Sequence, residues 1–183
     1  MKNILILGSR LTGKTTLANK LNEECGFSIV RLDDIIKTLD SVEGITPKMK
    51  EEYIINYLDK INSDVYFYCE RPCVVEGNLT DINTLVNINY ENYDVIPLIY
   101  ENINDVELLK QIRANSDTTS WTYYLKDDML LSDIQSYLEQ NIDLICAYKE
   151  LKFKQYDVSY NRNQVFNEII DEIKDDRKLI YKY

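Results

Sequence analysis

Eight residues near the start of the chain have the types and spacing of a phosphate-binding loop. The pattern G-x-x-x-x-G-K-[ST] is matched by Gly8-Ser9-Arg10-Leu11-Thr12-Gly13-Lys14-Thr15. The continuous apolar run before it, Asn3–Leu7, is typical of a buried parallel strand, and residues 16–21 have the apolar spacing of a helix. Strand, glycine loop and helix form the context in which this pattern binds phosphate. The 183 residues include only five glycines, and two of them close this loop, which argues against a chance match.

Each residue type in this loop has a physical role. Gly8 and Gly13 let the backbone bend so that successive N–H groups converge on phosphate oxygens, and the start of the next helix adds its positive end. Lys14 reaches the β- and γ-phosphates, and the Thr15 hydroxyl is placed to bind Mg²⁺. Thr16 either contacts the α-phosphate or is only a residue at the start of the helix. We therefore predict that ATP and Mg²⁺ bind here, on Gly8, Arg10, Leu11, Thr12, Gly13, Lys14, Thr15 and Thr16.

Composition narrows the class of protein. A length of 183 residues predicts one domain, 1–183, large enough to bury a core. The net charge of −10 argues against nucleic acid as the main partner. The chain has no apolar run of 18 residues, so we expect no membrane span, and we expect no signal peptide. The four cysteines (Cys25, Cys69, Cys73 and Cys146) lack paired spacing, which argues against zinc and for a reducing cytoplasm.

The chain contains no histidine. This excludes Ser-His-Asp and Cys-His mechanisms, so any proton transfer must use carboxylates, lysines, tyrosines or water.

Strands and helices alternate along the chain. We predict strands at about 2–7, 28–32, 73–76, 94–100 and 156–158. Helices are predicted at about 14–25, 34–39, 47 into the 60s, 81–86, 104–114, 130–149 and 162–174. This alternation predicts a three-layer α/β domain with a parallel sheet, in which ligands bind at the carboxyl ends of the strands. The candidate functional residues are those just past the strands: Gly8 to Thr15, Asp33-Asp34, Glu76-Gly77-Asn78, and Ser159 to Arg162.

Four features in order resemble the small P-loop kinases of the adenylate kinase-like group, which includes nucleoside, nucleotide and shikimate kinases. They are the loop at 8–15, Asp33-Asp34-Ile35-Ile36-Lys37, Val74-Val75-Glu76-Gly77, and Tyr156-Asp157-Val158-Ser159. The resemblance spans most of the chain, although only the loop is individually specific. It implies a five-stranded parallel sheet in the order 2-3-1-4-5, flanked by helices.

The resemblance also implies roles for carboxylates. In these kinases an aspartate at the end of strand 2 orients the acceptor hydroxyl, a role that would fall to Asp33 or Asp34, beside the catalytic Lys14. The other aspartate would then only cap the following helix. Glu76 would point into the cleft near Mg²⁺ or the acceptor. The alternative for Glu76 is a sheet-end carboxylate bonded to a neighbouring backbone.

Two further segments match positions in these kinases. The polar stretch Ala114 to Asp128 takes the place of their lid, with the catalytic candidate Arg113 at its entry and Lys126 near its far end. A lid arginine would neutralise charge on the transferring phosphoryl group. Family lids often carry two or three arginines, so the match is incomplete. Tyr160 and Arg162 match the segment that wraps the adenine; the alternative is an ordinary helix start.

The charges favour one kind of acceptor. Sites that bind a nucleotide usually hold its phosphate with arginines. Here Lys37 follows strand 2 instead, and the paired aspartates would repel an acceptor that carries a phosphate. We therefore predict an ATP-dependent kinase of a small molecule with a hydroxyl group, with nucleosides among the candidates. The alternatives are a nucleoside monophosphate kinase, a 5′-end polynucleotide kinase, which the acidic charge disfavours, and an NTP-binding regulator with little catalysis. The sequence indicates no oligomeric state.

Overall fold

The computed structural model describes residues 2–63, 72–118 and 120–180. Two positions considered above, Cys69 and residue 119 of the predicted lid, lie outside these ranges.

Five parallel strands form one sheet in the order β2-β3-β1-β4-β5. They are β1 (Asn3–Leu7), β2 (Ser28–Arg31), β3 (Cys73–Glu76), β4 (Tyr93–Ile99) and β5 (Tyr156–Asp157). This confirms the predicted fold class and the strand order that the resemblance implied. Because β1 lies between β3 and β4, the loop that leaves β1 is central at the carboxyl edge of the sheet.

Helices connect the strands. They are α1 (Lys14–Cys25), α2 (Leu32–Asp40), α3 (Pro47–Ser63), α4 (Ile82–Asn87), α5 (Asp105–Asn115), α6 (Asp127–Glu150) and α7 (Arg162–Ile180), with a 3₁₀ helix at Trp121–Tyr124. In the part of the chain that the structure describes, no helix combines the length and the apolar composition needed to cross a membrane.

The end of β2 and the start of α6 differ from the prediction, and both differences affect the site. Strand β2 ends at Arg31, and α2 begins at once with the fully buried Leu32. The acidic pair Asp33 and Asp34 therefore lies in the first helical turn, where the positive end of the helix dipole favours carboxylates. Helix α6 begins three residues earlier than predicted, so the aperiodic stretch after α5 is short.

The alternating side chains of β1 divide the core into two layers. Ile4 and Ile6 face a cluster built with α1, α5, α7 and the first half of α6. Leu5 and Leu7 face a cluster built with α2, α3, α4 and the second half of α6. The described helices thus cover the sheet on both faces, as parallel sheets require, and ligands bind such sheets at the carboxyl ends of the strands.

Candidate functional site

The loop between β1 and α1 has the backbone of a phosphate-binding turn. Gly8 and Gly13 have φ angles of 143° and 91°, and Leu11 has a φ of 69°. The Thr12 hydroxyl is fully buried and donates to the Ser9 carbonyl oxygen at 2.9 Å, which closes the turn from inside. The predicted binding residues of the loop are therefore brought together at the start of α1, where backbone N–H groups bind anions.

Lys14 lies inside this turn. Its Nζ donates to the carbonyl oxygens of Gly8 and Ser9, each at 2.8 Å, and the residue is only 8% exposed. Burial lowers the pKa of Lys14 to about 8, and the nearby charges of Glu76 and Asp33 partly oppose that change. The ammonium group is thus held inside the loop, close to Glu76 at the end of β3 and to Asp33 in the first turn of α2.

Thr15 and Glu76 place two oxygen atoms side by side. The Thr15 hydroxyl donates to Glu76 Oε2 at 3.1 Å, and Arg31 Nε lies 3.5 Å from Glu76 Oε1. Glu76 is almost fully buried, and burial raises its pKa, while the Thr15 hydrogen bond and the Lys14 charge act in the opposite direction. A hydroxyl and a carboxylate are hard oxygen donors of the kind Mg²⁺ prefers, so these two residues fit such an ion.

The two adjacent aspartates point in different directions. Asp33 Oδ1 accepts a hydrogen bond from the Asn78 backbone N–H at 2.8 Å, and its charge influences both Lys14 and Glu76. Asp34 is 71% exposed and lies 3.8 Å from Lys37 Nζ on the outer side of α2. Asp33 therefore belongs to the cluster at the loop, and Asp34 does not.

Gly77 allows this approach of α2 to the end of β3. A Cβ atom at Gly77 would lie 2.7 Å from Leu32 Cβ and 3.2 Å from Asp33 Oδ1, so a side chain there would push α2 away. The glycine that follows Glu76 thus lets Asp33 reach the edge of the sheet.

Arg162 and Tyr160 follow β5, at the other edge of the sheet from β2. Arg162 begins α7 and lies against Gly13, and its buried Nε makes no hydrogen bond to any residue that the structure describes. The Tyr160 hydroxyl contacts the Asn102 carbonyl oxygen and Glu107 Oε2, both at 3.0 Å. Arg162 is thus beside the phosphate loop, whereas Tyr160 ties the segment after β5 to the segment after β4.

The structure does not place Arg113 on the phosphate loop. Its guanidinium donates to the carbonyl oxygens of Thr122 and Leu125, each at 2.5 Å, and pairs with Asp127 Oδ1 at 2.7 Å. Arg113 therefore holds the 3₁₀ turn of the predicted lid against α5. Lys126 is exposed at the cap position of α6.

Arg10 and Thr16 are exposed at the edge of the loop. The Arg10 guanidinium lies 5.7 Å from the centre of the Tyr137 ring and donates to its hydroxyl at 3.3 Å. The Arg10 side chain is thus oriented by Tyr137 of α6.

Two residues at the site were missed by sequence reasoning. Tyr100 is buried against the loop at Leu11, and Asn141 is buried beside Tyr100 and hydrogen-bonds to its backbone. Tyr100 is the last residue of the predicted fourth strand, so the expectation that ligands bind at the carboxyl ends of the strands applied to it as well. Asn141 continues, at helical spacing, the apolar stripe of Leu130, Ile134, Leu144 and Tyr148. The sequence therefore did contain a signal for Asn141, namely a polar residue among the apolar positions that a helix buries.

Comparisons with known proteins address the fold. No protein-family model matches the chain, and no curated protein sequence matches it. A gluconokinase from Sinorhizobium meliloti has a similar structure, with a TM-score of 0.59 and 15% identity over 98% of this chain and 95% of that chain. A shikimate kinase from Acinetobacter baumannii, in complex with shikimate, has a TM-score of 0.56 and 17% identity over 96% of this chain and 94% of that chain.

A third similar structure is the YorR protein from Bacillus subtilis in complex with phosphorylated GDP. Its TM-score is 0.52 at 15% identity, and the match covers 98% of each chain. These likenesses extend over nearly the whole of each protein. The chain therefore has the fold of the small P-loop kinases, as the resemblance of its motifs implied.

Proposed function

We propose that this protein is an ATP-dependent kinase that transfers the γ-phosphoryl group to a hydroxyl group of a small molecule. The observation that carries the proposal is the cluster at the carboxyl edge of the sheet. There the buried Lys14 in its glycine loop lies close to the carboxylates of Glu76 and Asp33. A phosphate cradle beside a carboxylate that can take a hydroxyl proton is what phosphoryl transfer to an alcohol requires.

The nature of the acceptor follows from the charges on its side of the cleft. Asp33 and Glu76 are acidic, and Arg31 is already paired with Glu76. An acceptor that carried its own phosphate would meet net negative charge there. Two of the proteins of similar structure are a gluconokinase and a shikimate kinase, which by their names phosphorylate small hydroxylated molecules. A hydroxylated small molecule, with nucleosides among the candidates, is therefore favoured over a nucleoside monophosphate.

Triphosphate binding would begin at the loop. Lys14 would exchange its bonds to the Gly8 and Ser9 carbonyl oxygens for phosphate oxygens, and the backbone N–H groups at the start of α1 would bind the same phosphates. Arg162 lies beside Gly13, and its Nε has no hydrogen-bond partner among the described residues, so we propose that it serves the base. We propose Tyr160 as a wall of that base site.

Thr15 and Glu76 would hold Mg²⁺, since their oxygen atoms are adjacent and Glu76 is buried. When bound, the ion neutralises charge on the β- and γ-phosphate oxygens. Arg31 keeps the Glu76 side chain directed toward Thr15 by pairing with its other oxygen.

Asp33 would act on the acceptor. The hydroxyl oxygen forms a bond to the γ-phosphorus as the bond from that phosphorus to the bridging oxygen breaks, ADP leaves, and the hydroxyl proton passes to the Asp33 carboxylate. The Asn78 N–H fixes one Asp33 oxygen and leaves the other for the hydroxyl. Lys14 stabilises the negative charge on the transferring group.

The segment 114–128 is proposed as a lid within the single domain 1–183. Its base is held by Arg113, and Trp121, Tyr123 and Tyr124 are exposed around its 3₁₀ turn. Closure over the phosphates would exclude water, and such motions commonly take microseconds to milliseconds. Arg113 or Lys126 would approach the γ-phosphate only in the closed form, and Arg113 would have to leave its present partners to do so.

The first prediction separates the two aspartates. ADP release should depend on an added acceptor, found by screening nucleosides, nucleoside monophosphates, sugar acids and cyclic hydroxy acids. With that acceptor, Asp33→Asn should lower kcat by about 100-fold or more, because proton transfer is lost, and leave the Kd for Mg·ATP within about twofold. The carboxamide oxygen that this substitution introduces can still accept from the Asn78 N–H, so the fold is retained.

Asp34→Asn is the matched control. Its carboxylate is exposed and contributes little, so turnover should stay within about twofold of wild type. Full turnover in Asp33→Asn would contradict the assigned role. ADP release that no acceptor stimulates, together with tight ATP binding, would favour a nucleotide-binding regulator instead.

The second prediction concerns pH. The pKa of Lys14 is about 8 in the free protein, and the negative phosphates should raise it in the complex. The protonated lysine is the binding form. The Kd for Mg·ATP should therefore be constant near pH 7 and should rise above pH 8, by up to about tenfold for each pH unit. Calorimetric titrations from pH 7 to 9.5 measure this dependence.

Lys14→Arg provides the comparison, since a guanidinium stays charged over this range and the profile should be flat. A wild-type Kd that is unchanged across the range would show that Lys14 does not titrate as its burial implies.

The third prediction tests the lid. Trp121 is half exposed and is the only tryptophan, so its fluorescence should change when ATP and the acceptor bind together. Arg113→Ala removes the donors that hold Thr122 and Leu125, and it should lower turnover more than ATP affinity. Lys110→Ala, an exposed cation on the same helix, is the control and should have little effect. Unchanged emission together with normal turnover in Arg113→Ala would exclude the lid.

A further inference from the structure

Tyr100 contacts the phosphate loop from the end of β4. It is 3% exposed, and its hydroxyl donates to the Leu11 carbonyl oxygen at 2.6 Å. Burial raises the pKa of the Tyr100 phenol to about 12, so the hydroxyl remains protonated and available as a donor near neutral pH. This bond joins the sheet to the middle of the loop, between Gly8 and Gly13.

Leu11 is the residue of the loop that most needs such support. Its φ of 69° lies in the left-handed region, which a side chain with a Cβ atom disfavours and which glycine adopts freely. A leucine in this conformation persists only where its surroundings hold it. The Tyr100 hydroxyl, bound to the Leu11 carbonyl oxygen, fixes the orientation of the peptide unit that follows Leu11.

Asn141 fixes Tyr100 in turn. Its Oδ1 accepts from the Tyr100 N–H at 3.0 Å and its Nδ2 donates to the Tyr100 carbonyl oxygen at 2.7 Å. Asn141 is 2% exposed, so both of these bonds are shielded from water. Tyr100 is thereby held at both of its backbone groups, and its burial restricts movement of the phenol away from the loop.

We propose that Tyr100, held by Asn141, is a positioning residue that presets the loop for triphosphate. This rests on the proposed binding of ATP at the loop and adds a residue beyond the nucleotide-binding motif. Without the hydroxyl, the Leu11 peptide unit would have to be reoriented during phosphate binding, and part of the binding free energy would be used for that ordering.

The chain supplies a matched control at the other end of the strand that Tyr100 follows. Tyr93 lies at the start of β4, is also 3% exposed, and its hydroxyl donates to the Leu58 carbonyl oxygen at 2.9 Å. Tyr93→Phe and Tyr100→Phe therefore each remove one buried hydroxyl that donates to a carbonyl. Only Tyr100→Phe removes a hydrogen bond to the loop.

The experiment is calorimetric titration of wild type and both variants with Mg·ATP and with inorganic tripolyphosphate plus Mg²⁺, with thermal unfolding of each variant. Tyr100→Phe should weaken both phosphate ligands by about 5- to 10-fold, the loss that one net hydrogen bond predicts. Tyr93→Phe should bind both ligands as wild type does, with a comparable fall in Tm. Equal affinities in Tyr100→Phe and Tyr93→Phe would overturn the positioning role alone. A wild-type protein that binds neither ligand would overturn both this role and the proposed function.

Discussion

The backbone path from β1 into α1 is the constraint on which the rest of the site depends. Gly8 leaves β1 with a φ of 143°, and a Cβ there would lie 2.5 Å from the Leu98 carbonyl oxygen and 2.9 Å from Thr12 Oγ1. Because β1 pairs with β4 along its whole length, the chain must turn across the end of its neighbour with no room for a side chain. This tight turn brings Lys14 and Thr15 to the edge where the other strands end.

Burial of Lys14 and Glu76, beside the exposed Asp33, gives the cluster its chemical character. Lys14, Glu76 and Asp33 come from three different elements, and burial pushes the pKa of Lys14 down and that of Glu76 up. The Lys14 charge stabilises both carboxylates, which repel each other, and Arg31 adds a further positive charge beside Glu76. A triphosphate with a divalent cation suits this arrangement, since it presents negative charge to Lys14 and positive charge to Glu76.

Local patterns in the sequence were sufficient to predict the loop and the sheet. A buried strand, two glycines and a helix start follow one another near the beginning of the chain, and the apolar runs marked the other strands. The choice between Asp33 and Asp34 could not be made, because it depends on α2 beginning at Leu32: adjacent residues of a helix point about 100° apart. The contacts of Arg113 and of Tyr100 with Asn141 depend on how α5 and α6 pack, and no local pattern encodes that packing.

Calorimetric titration of wild type and Lys14→Ala with ATP and Mg²⁺ tests the central claim most directly. We expect saturable binding at one site by the wild-type protein. We also expect a loss of about 100-fold in affinity in Lys14→Ala, because a buried charge would no longer face the phosphates. Circular dichroism of the variant should match that of the wild type. Affinity that is equal in the two proteins, or a wild-type protein that does not bind ATP, would contradict the account.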